Sequence, residues 1–100
     1  MTREDTRRTL VAYDVTDDRR RTRLANVLSR YGDRVQYSVF VIDASPGRLI
    51  RMRTKISSTI DHSKDSLLFC DLGPLTGLSP QQFEFEGRSR PITDGDSFII

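Results

Sequence analysis

Cysteine and histidine each occur once in this chain, and its six glycines and four prolines are scattered rather than clustered. A single cysteine, Cys70, excludes an intrachain disulfide and any paired-thiol chemistry. Within Leu67-Leu68-Phe69-Cys70 it reads as a small, buried apolar residue rather than a reactive thiol. His62, with no second histidine or cysteine to join it, cannot found an imidazole or thiolate metal centre, and the polar stretch Asp61-His62-Ser63-Lys64-Asp65 places it in an exposed turn. No glycine-rich phosphate loop, nucleophile elbow or Cys-X-X-Cys pair occurs, so the common nucleotide-binding, acyl-transfer and redox chemistries lack their motifs. No apolar run is long enough to span a membrane, and Met1 to Arg8 holds no apolar secretory core, so a cytoplasmic location is expected.

What remains is the composition of one soluble globular domain: 100 residues, 36% hydrophobic and 30% charged. A chain of this size builds a single sheet and two helices but encloses no deep private active site, so a dimer interface is a natural place for an enzyme of this length to assemble one. The net charge is only +2, yet its distribution is uneven. Residues 1–55 carry 13 Lys+Arg against 7 Asp+Glu, and residues 56–100 carry 3 against 7. Twelve of the thirteen N-terminal cations are arginine, the side chain suited to bidentate phosphate contacts. Nucleic acid is the first partner this implies; the plainer alternative is an ordinary solvated surface.

Residues 1–8 read as a flexible extension, with structure beginning at Thr9. Leu10-Val11-Ala12-Tyr13-Asp14-Val15 is a nearly continuous apolar run that suits a covered strand, and Asp14 is its anomaly. Asp17 or Asp18 can cap a helix to about Tyr31, because Leu24, Val27, Leu28 and Tyr31 recur at helical spacing and Gly32 supplies a stop. Arg19, Arg20, Arg21, Arg23 and Arg30 fall mostly off that stripe. Val35 to Ile42 reads as strand, or as two short strands kinked near Tyr37 and Ser38. Ser45-Pro46 starts a second helix to about residue 60, with an apolar stripe at Leu49, Met52, Ile56 and Ile60. Ser66 to Leu72 reads as another buried strand.

The order β-α-β-β-α-β predicts an α+β, ferredoxin-like sandwich over residues 9–72, four antiparallel strands with two helices on one face. The other sheet face must then be polar, bind something, or pack on a second copy. Residues 73–100 form a loop-rich tail in which Phe83 to Phe85 is a candidate short strand. Ser97-Phe98-Ile99-Ile100 is a candidate edge strand completing a homodimer.

Three segments in this order and spacing carry a further pattern: Tyr13-Asp14-Val15, then Asp18-Arg19-Arg20-Arg21-Thr22-Arg23, then Gly32 through Arg34-Val35-Gln36-Tyr37-Ser38-Val39-Phe40. They resemble the small CRISPR-associated nuclease family, the second of the two proteins common to spacer acquisition. The resemblance implies a ferredoxin-like homodimer in which two strand-end aspartates, at the position of Asp14, share a magnesium or other divalent ion and hydrolyse phosphodiester bonds of RNA or DNA. It also implies a partnership with the CRISPR-associated integrase, and as the alternative function a non-catalytic adaptor that holds duplex DNA while bridging integrase dimers. The family's functional positions fall here on Tyr13, Asp14, Arg21, Arg23, Arg34, Ser38 and Phe40. With Arg19 and Arg20 from the charge pattern, the expected division is Asp14 as catalytic residue and metal ligand, and Arg19, Arg20, Arg21, Arg23 and Arg34 on nucleic acid. Tyr13, Ser38 and Phe40 are expected in support. One departure is Val41, where many relatives carry glutamate; another is the longer approach to the first strand. The plainer reading of Asp14 is a carboxylate that caps the next helix or pairs with an arginine.

Overall fold

The computed structural model describes residues 5–78, 82–90 and 92. Four strands and two helices follow the expected order: β1 (Arg7–Asp14), α1 (Asp18–Ser29), β2 (Gly32–Gln36), β3 (Val39–Ala44), α2 (Pro46–Thr59) and β4 (Ser66–Pro74), then a 3-10 turn at Leu75–Gly77. The strands form one antiparallel sheet in the order β2-β3-β1-β4. The fold is the ferredoxin-like α+β sandwich.

Local chemistry accounts for the helix starts. The Asp17 carboxylate accepts the Arg20 amide at 2.9 Å, and the Ser45 hydroxyl accepts the Arg48 amide at 3.3 Å, with Pro46 in the first turn of α2. Each helix turns its apolar stripe inward, so Leu24, Leu28, Met52 and Ile56 meet Val11, Tyr13, Phe40, Ile42 and Ala44 of the two central strands. Helix α1 ends at Ser29, and Gly32 is the first residue of β2 rather than the helix stop. Its lack of a side chain serves the sheet: a Cβ there would lie 2.2 Å from the Val41 carbonyl oxygen and 2.9 Å from the Ile42 Cα. The kink expected near Tyr37 and Ser38 is the two-residue turn of the β2–β3 hairpin.

Strand β1 begins at Arg7, two residues earlier than expected, because both arginines find carboxylates on neighbouring strands. Arg7 bonds Asp71 of β4 at 2.8 Å, and Arg8 makes a two-pronged contact with Asp43 of β3 at 2.7 and 2.8 Å. An ion pair of this form lets polar residues continue a strand into the sheet. Of the expected extension, residues 1–4 lie outside the described residues.

Strand side chains alternate between faces. Opposite the helices lie Arg8, Leu10, Ala12 and Asp14 of β1, with Val39, Val41 and Asp43 of β3 and Leu68 and Cys70 of β4 beside them by register. This face is bare at one end only. Arg8, Val41 and Asp43 are enclosed, with the Phe83 ring 5.8 Å from the Arg8 guanidinium, whereas Leu68 and Asp14 at the other end are exposed. The tail therefore returns over part of the sheet. Residues 83–85 do so without forming a strand, and the expected terminal strand at 97–100 lies outside the described residues.

Cys70 is exposed, contrary to the buried position expected for it. Strand β4 is an edge strand of a two-layer fold, so Leu67 and Phe69 pack inward while Ser66, Leu68 and Cys70 face out. Among the described residues, no helix is long and apolar enough to cross a membrane.

Candidate active site

Asp14 ends β1 with an exposed side chain and makes no hydrogen bond or ion pair with the described residues. Neither plainer role applies to it. The helix cap is Asp17, Arg20 and Arg21 find other carboxylates, and Arg19 and Arg23 make no ion pair among the described residues. The strand carboxylates Asp43 and Asp71 are by contrast held by Arg8 and Arg7. By register Asp14 lies opposite Ser66 of β4, with Ala12 and the exposed Leu68 the next pair along the same sheet face.

Behind the strand end, on the helix side, a connected group ties β1 to the β2–β3 turn. The Tyr13 amide donates to the Ser38 carbonyl at 3.0 Å, and the Tyr13 hydroxyl donates to the Tyr37 carbonyl at 3.4 Å while accepting from Arg34 Nη2 at 3.2 Å. The Tyr13 and Phe40 rings stack at 6.3 Å, and the Arg34 guanidinium lies 5.3 Å from the Phe40 centroid. Tyr13 and Phe40 are thus buried packing residues, and Ser38 contributes its backbone oxygen. They hold the residue beside Asp14 in place.

The five arginines expected on nucleic acid divide into three kinds. Arg20 grips Asp65 through two nitrogens, at 2.7 and 3.1 Å, and the enclosed Asp65 carboxylate also accepts the Asp61 amide at 2.8 Å. Arg20 therefore fastens α1 to the loop before β4. Arg21 pairs with Asp18 and donates to the Val15 and Thr16 carbonyls at 3.0 and 3.3 Å, so its guanidinium braces the β1–α1 junction. Arg34 is half-buried, as described. Arg19 and Arg23 are exposed and have no hydrogen bond or ion pair among the described residues.

At 100° per residue, Arg19, Arg23 and Arg30 fall on one outward stripe of α1, opposite buried Leu28. Helix α2 extends this basic surface with exposed Arg48, Arg51, Arg53 and Lys55 and carries no carboxylate from Pro46 to Thr59. The second helix was expected from sequence, but its cations were not singled out, although charge of one sign is plain in residues 46–59. Arg48 and Arg53 are partly occupied, lying over Tyr31 at 4.5 Å and Phe69 at 4.0 Å.

The charge partners shift the carboxylates predictably. The Arg20 guanidinium, then the Asp61 amide, hold the Asp65 carboxyl below its ordinary value, and Asp65 in turn raises Arg20. A carboxylate whose pKa is lower folded than unfolded stabilises the fold above its unfolded pKa and loses that contribution as pH falls through the folded value. The pair thus supports the fold at neutral pH and fails below about pH 4. Arg20→Ala is therefore expected to lower the urea midpoint at pH 7 and to narrow the gap from wild type as pH falls below about 4. A constant gap across that range would refute the linkage.

Among the described residues no three His, Cys, Asp or Glu side chains gather into a metal site. One copy of the chain brings Asp14 alone, an exposed carboxylate with oxygen chemistry suited to a hard divalent cation. Val41, where the departure from the related pattern lies, is 2% exposed and packed within the sheet, so no second carboxylate comes from there.

Known proteins share this sequence pattern and this fold. Residues 7–74 match the family model described as CRISPR associated protein Cas2. A CRISPR-associated endoribonuclease Cas2 from Synechocystis is 35% identical over 91 residues, covering 91% of this chain and 95% of its own. A CRISPR-associated endonuclease Cas2 from Thermus thermophilus is 44% identical over 57 residues, covering 57% of this chain and 63% of its own. The crystal structure of Streptococcus pyogenes Cas2 superposes with a TM-score of 0.70 at 29% identity, covering 80% of this chain and 99% of that one. The matched span runs from the first residue of β1 to the last of β4 and takes in Asp14, the arginine helix and the Tyr13–Arg34–Phe40 group. On that span and these identities, the chain belongs to the Cas2 family of CRISPR-associated proteins.

Proposed function

We propose that the protein is a magnesium-dependent endonuclease of CRISPR spacer acquisition, active as a homodimer that brings two Asp14 carboxylates together on RNA or DNA. The observation that carries this reading is the exposed Asp14 carboxylate, unpartnered among the described residues although arginines crowd the neighbouring helix. Magnesium keeps most of its waters and needs only one or two protein carboxylates beside a substrate phosphate, so a pair of Asp14 side chains meets its requirement. Bound there, the ion would polarise a phosphoryl oxygen and acidify a water. Arg19 and Arg23 hold flanking phosphates, and Tyr13 with Arg34 keeps the strand end in register. Names of relatives support the reaction class, since those quoted are an endoribonuclease and an endonuclease.

The same family points to the CRISPR-associated integrase as partner. A second reading, a non-catalytic duplex-DNA adaptor bridging integrase dimers, is favoured by the outward cations of α1 and α2, which extend along the helices away from Asp14. Phosphate contacts alone give binding that weakens steeply with salt and reads little sequence.

The deciding experiment incubates purified protein with labelled RNA, single-stranded DNA and duplex DNA, in magnesium and in EDTA. Cleavage in magnesium, loss in EDTA and recovery on adding magnesium back is the expected result. Salt-sensitive duplex binding without cleavage of any substrate would transfer the assignment to the adaptor, and neither binding nor cleavage would overturn both readings.

A further inference from the structure

Tyr37 has no part in the assignments above, yet it is 64% exposed at the β2–β3 turn. Two guanidiniums lie against its ring, Arg34 at 5.6 Å and Arg21 at 6.0 Å from the centroid. Each is anchored elsewhere, Arg21 by the Val15 and Thr16 carbonyls and Asp18, Arg34 by the Tyr13 hydroxyl and the Phe40 ring. The ring is therefore held by its cations while most of its surface stays open to solvent.

The Arg34 charge is also unbalanced. It makes no ion pair with a carboxylate among the described residues, and its buried Nε lacks a hydrogen-bond partner. A half-buried guanidinium without an anion is costly to keep and favours one supplied by a ligand. The turn is bolted to β1 through both hydrogen-bond donors of Tyr13, the residue next to Asp14. Whatever occupies the Tyr37 ring is thereby placed near the end of the strand that carries the carboxylate.

We propose that Tyr37 is a stacking platform for an unpaired nucleobase, with Arg34 attracting the adjoining phosphate, so that the strand-end site takes a single-stranded segment. The proposal rests on the nucleic-acid reading above and goes beyond it by assigning Tyr37 as the residue that receives a base. An aromatic face flanked by cations accepts any base with little regard to sequence or sugar. A base inside a duplex is already stacked and cannot reach it. Duplex binding would then fall to the helix cations, and single-strand binding to the Tyr37 turn.

The sequence contains no tryptophan, so Tyr37→Trp introduces a unique fluorophore while keeping an aromatic face. Wild type, Tyr37→Ala and Tyr37→Trp are titrated in EDTA with oligothymidylate, oligouridylate, an abasic oligomer of equal length and a DNA duplex. Tyr37→Ala is expected to lose roughly ten-fold or more in affinity for both base-bearing single strands and to match wild type on the abasic strand and the duplex. Tyr37→Trp is expected to bind as wild type does, with its fluorescence quenched by the base-bearing strands and not by the abasic one. Equal losses on all four probes, or an unquenched tryptophan, would overturn the platform and leave the nucleic-acid reading standing. Failure of the wild type to bind any probe would overturn both.

Discussion

Asp14→Asn is expected to cut RNA or DNA at least about a hundred-fold more slowly than wild type in magnesium while binding it equally well. The substitution keeps the shape and removes the charge. A metal-held transition state owes several kcal/mol to its charged ligands, and each 1.4 kcal/mol is ten-fold in rate, which sets the size of the loss. Because Asp14 is exposed and makes no bond with the described residues, its replacement should move the unfolding free energy by no more than about 0.5 kcal/mol. Activity and stability are thus separable at this position. Cleavage surviving in the variant would remove Asp14 from the mechanism, and a large fall in stability would make it a structural residue.

The second large effect concerns stability alone. Arg8 and Asp43 face each other across β1 and β3 with side chains only 9% and 8% exposed, joined by two short bonds and roofed by Phe83. Removing Arg8 strands the Asp43 carboxylate in a poorly solvated site, at a cost of about 3–5 kcal/mol. Arg8→Ala should therefore lower the unfolding free energy by that amount, much of what a domain of this size has, about 5–15 kcal/mol. Urea denaturation measures it. The paired replacement Arg8→Met with Asp43→Leu should recover most of the loss, since an apolar pair leaves no charge behind. Arg8→Ala within about 1 kcal/mol of wild type would show that the buried pair contributes little.

These two aspartates show how unevenly the sequence discloses its structure. Asp14 was legible because it interrupts an apolar run at the point where a strand must hand over to a capped helix. Asp43 ends a similar run, in Val41-Ile42-Asp43, but its meaning depends on Arg8, 35 residues earlier. For that reason Arg8 was assigned to a flexible extension when it is the buried second residue of β1. Cys70 misled in the opposite direction: an apolar run suggested burial on both faces, and only its place on an edge strand exposes it.

The arginines make the same point for function. Arg19, Arg20, Arg21 and Arg23 look equivalent as a run, but Arg20 is taken by Asp65, 45 residues away, and Arg21 by Asp18 and two carbonyls. Arg19 and Arg23 keep their charge available because the helix turns them outward. Tyr37 was placed at a kink but given no role there, since nothing local says that the turn will present its ring beside two guanidiniums.

By itself the sequence determined the helices and strands, the ferredoxin-like order, the strand-end carboxylate and the family. These follow from periodicity, capping residues and a motif contained within some thirty consecutive positions. The tertiary structure alone decided which cations are spent inside the fold and which are free for phosphate, that Phe83 lies over Arg8, and that Tyr37 stands open beside Arg34. The reason is physical: a local pattern sets which way a side chain points, but its charge is satisfied by whatever distant residue the sheet brings within about 3 Å.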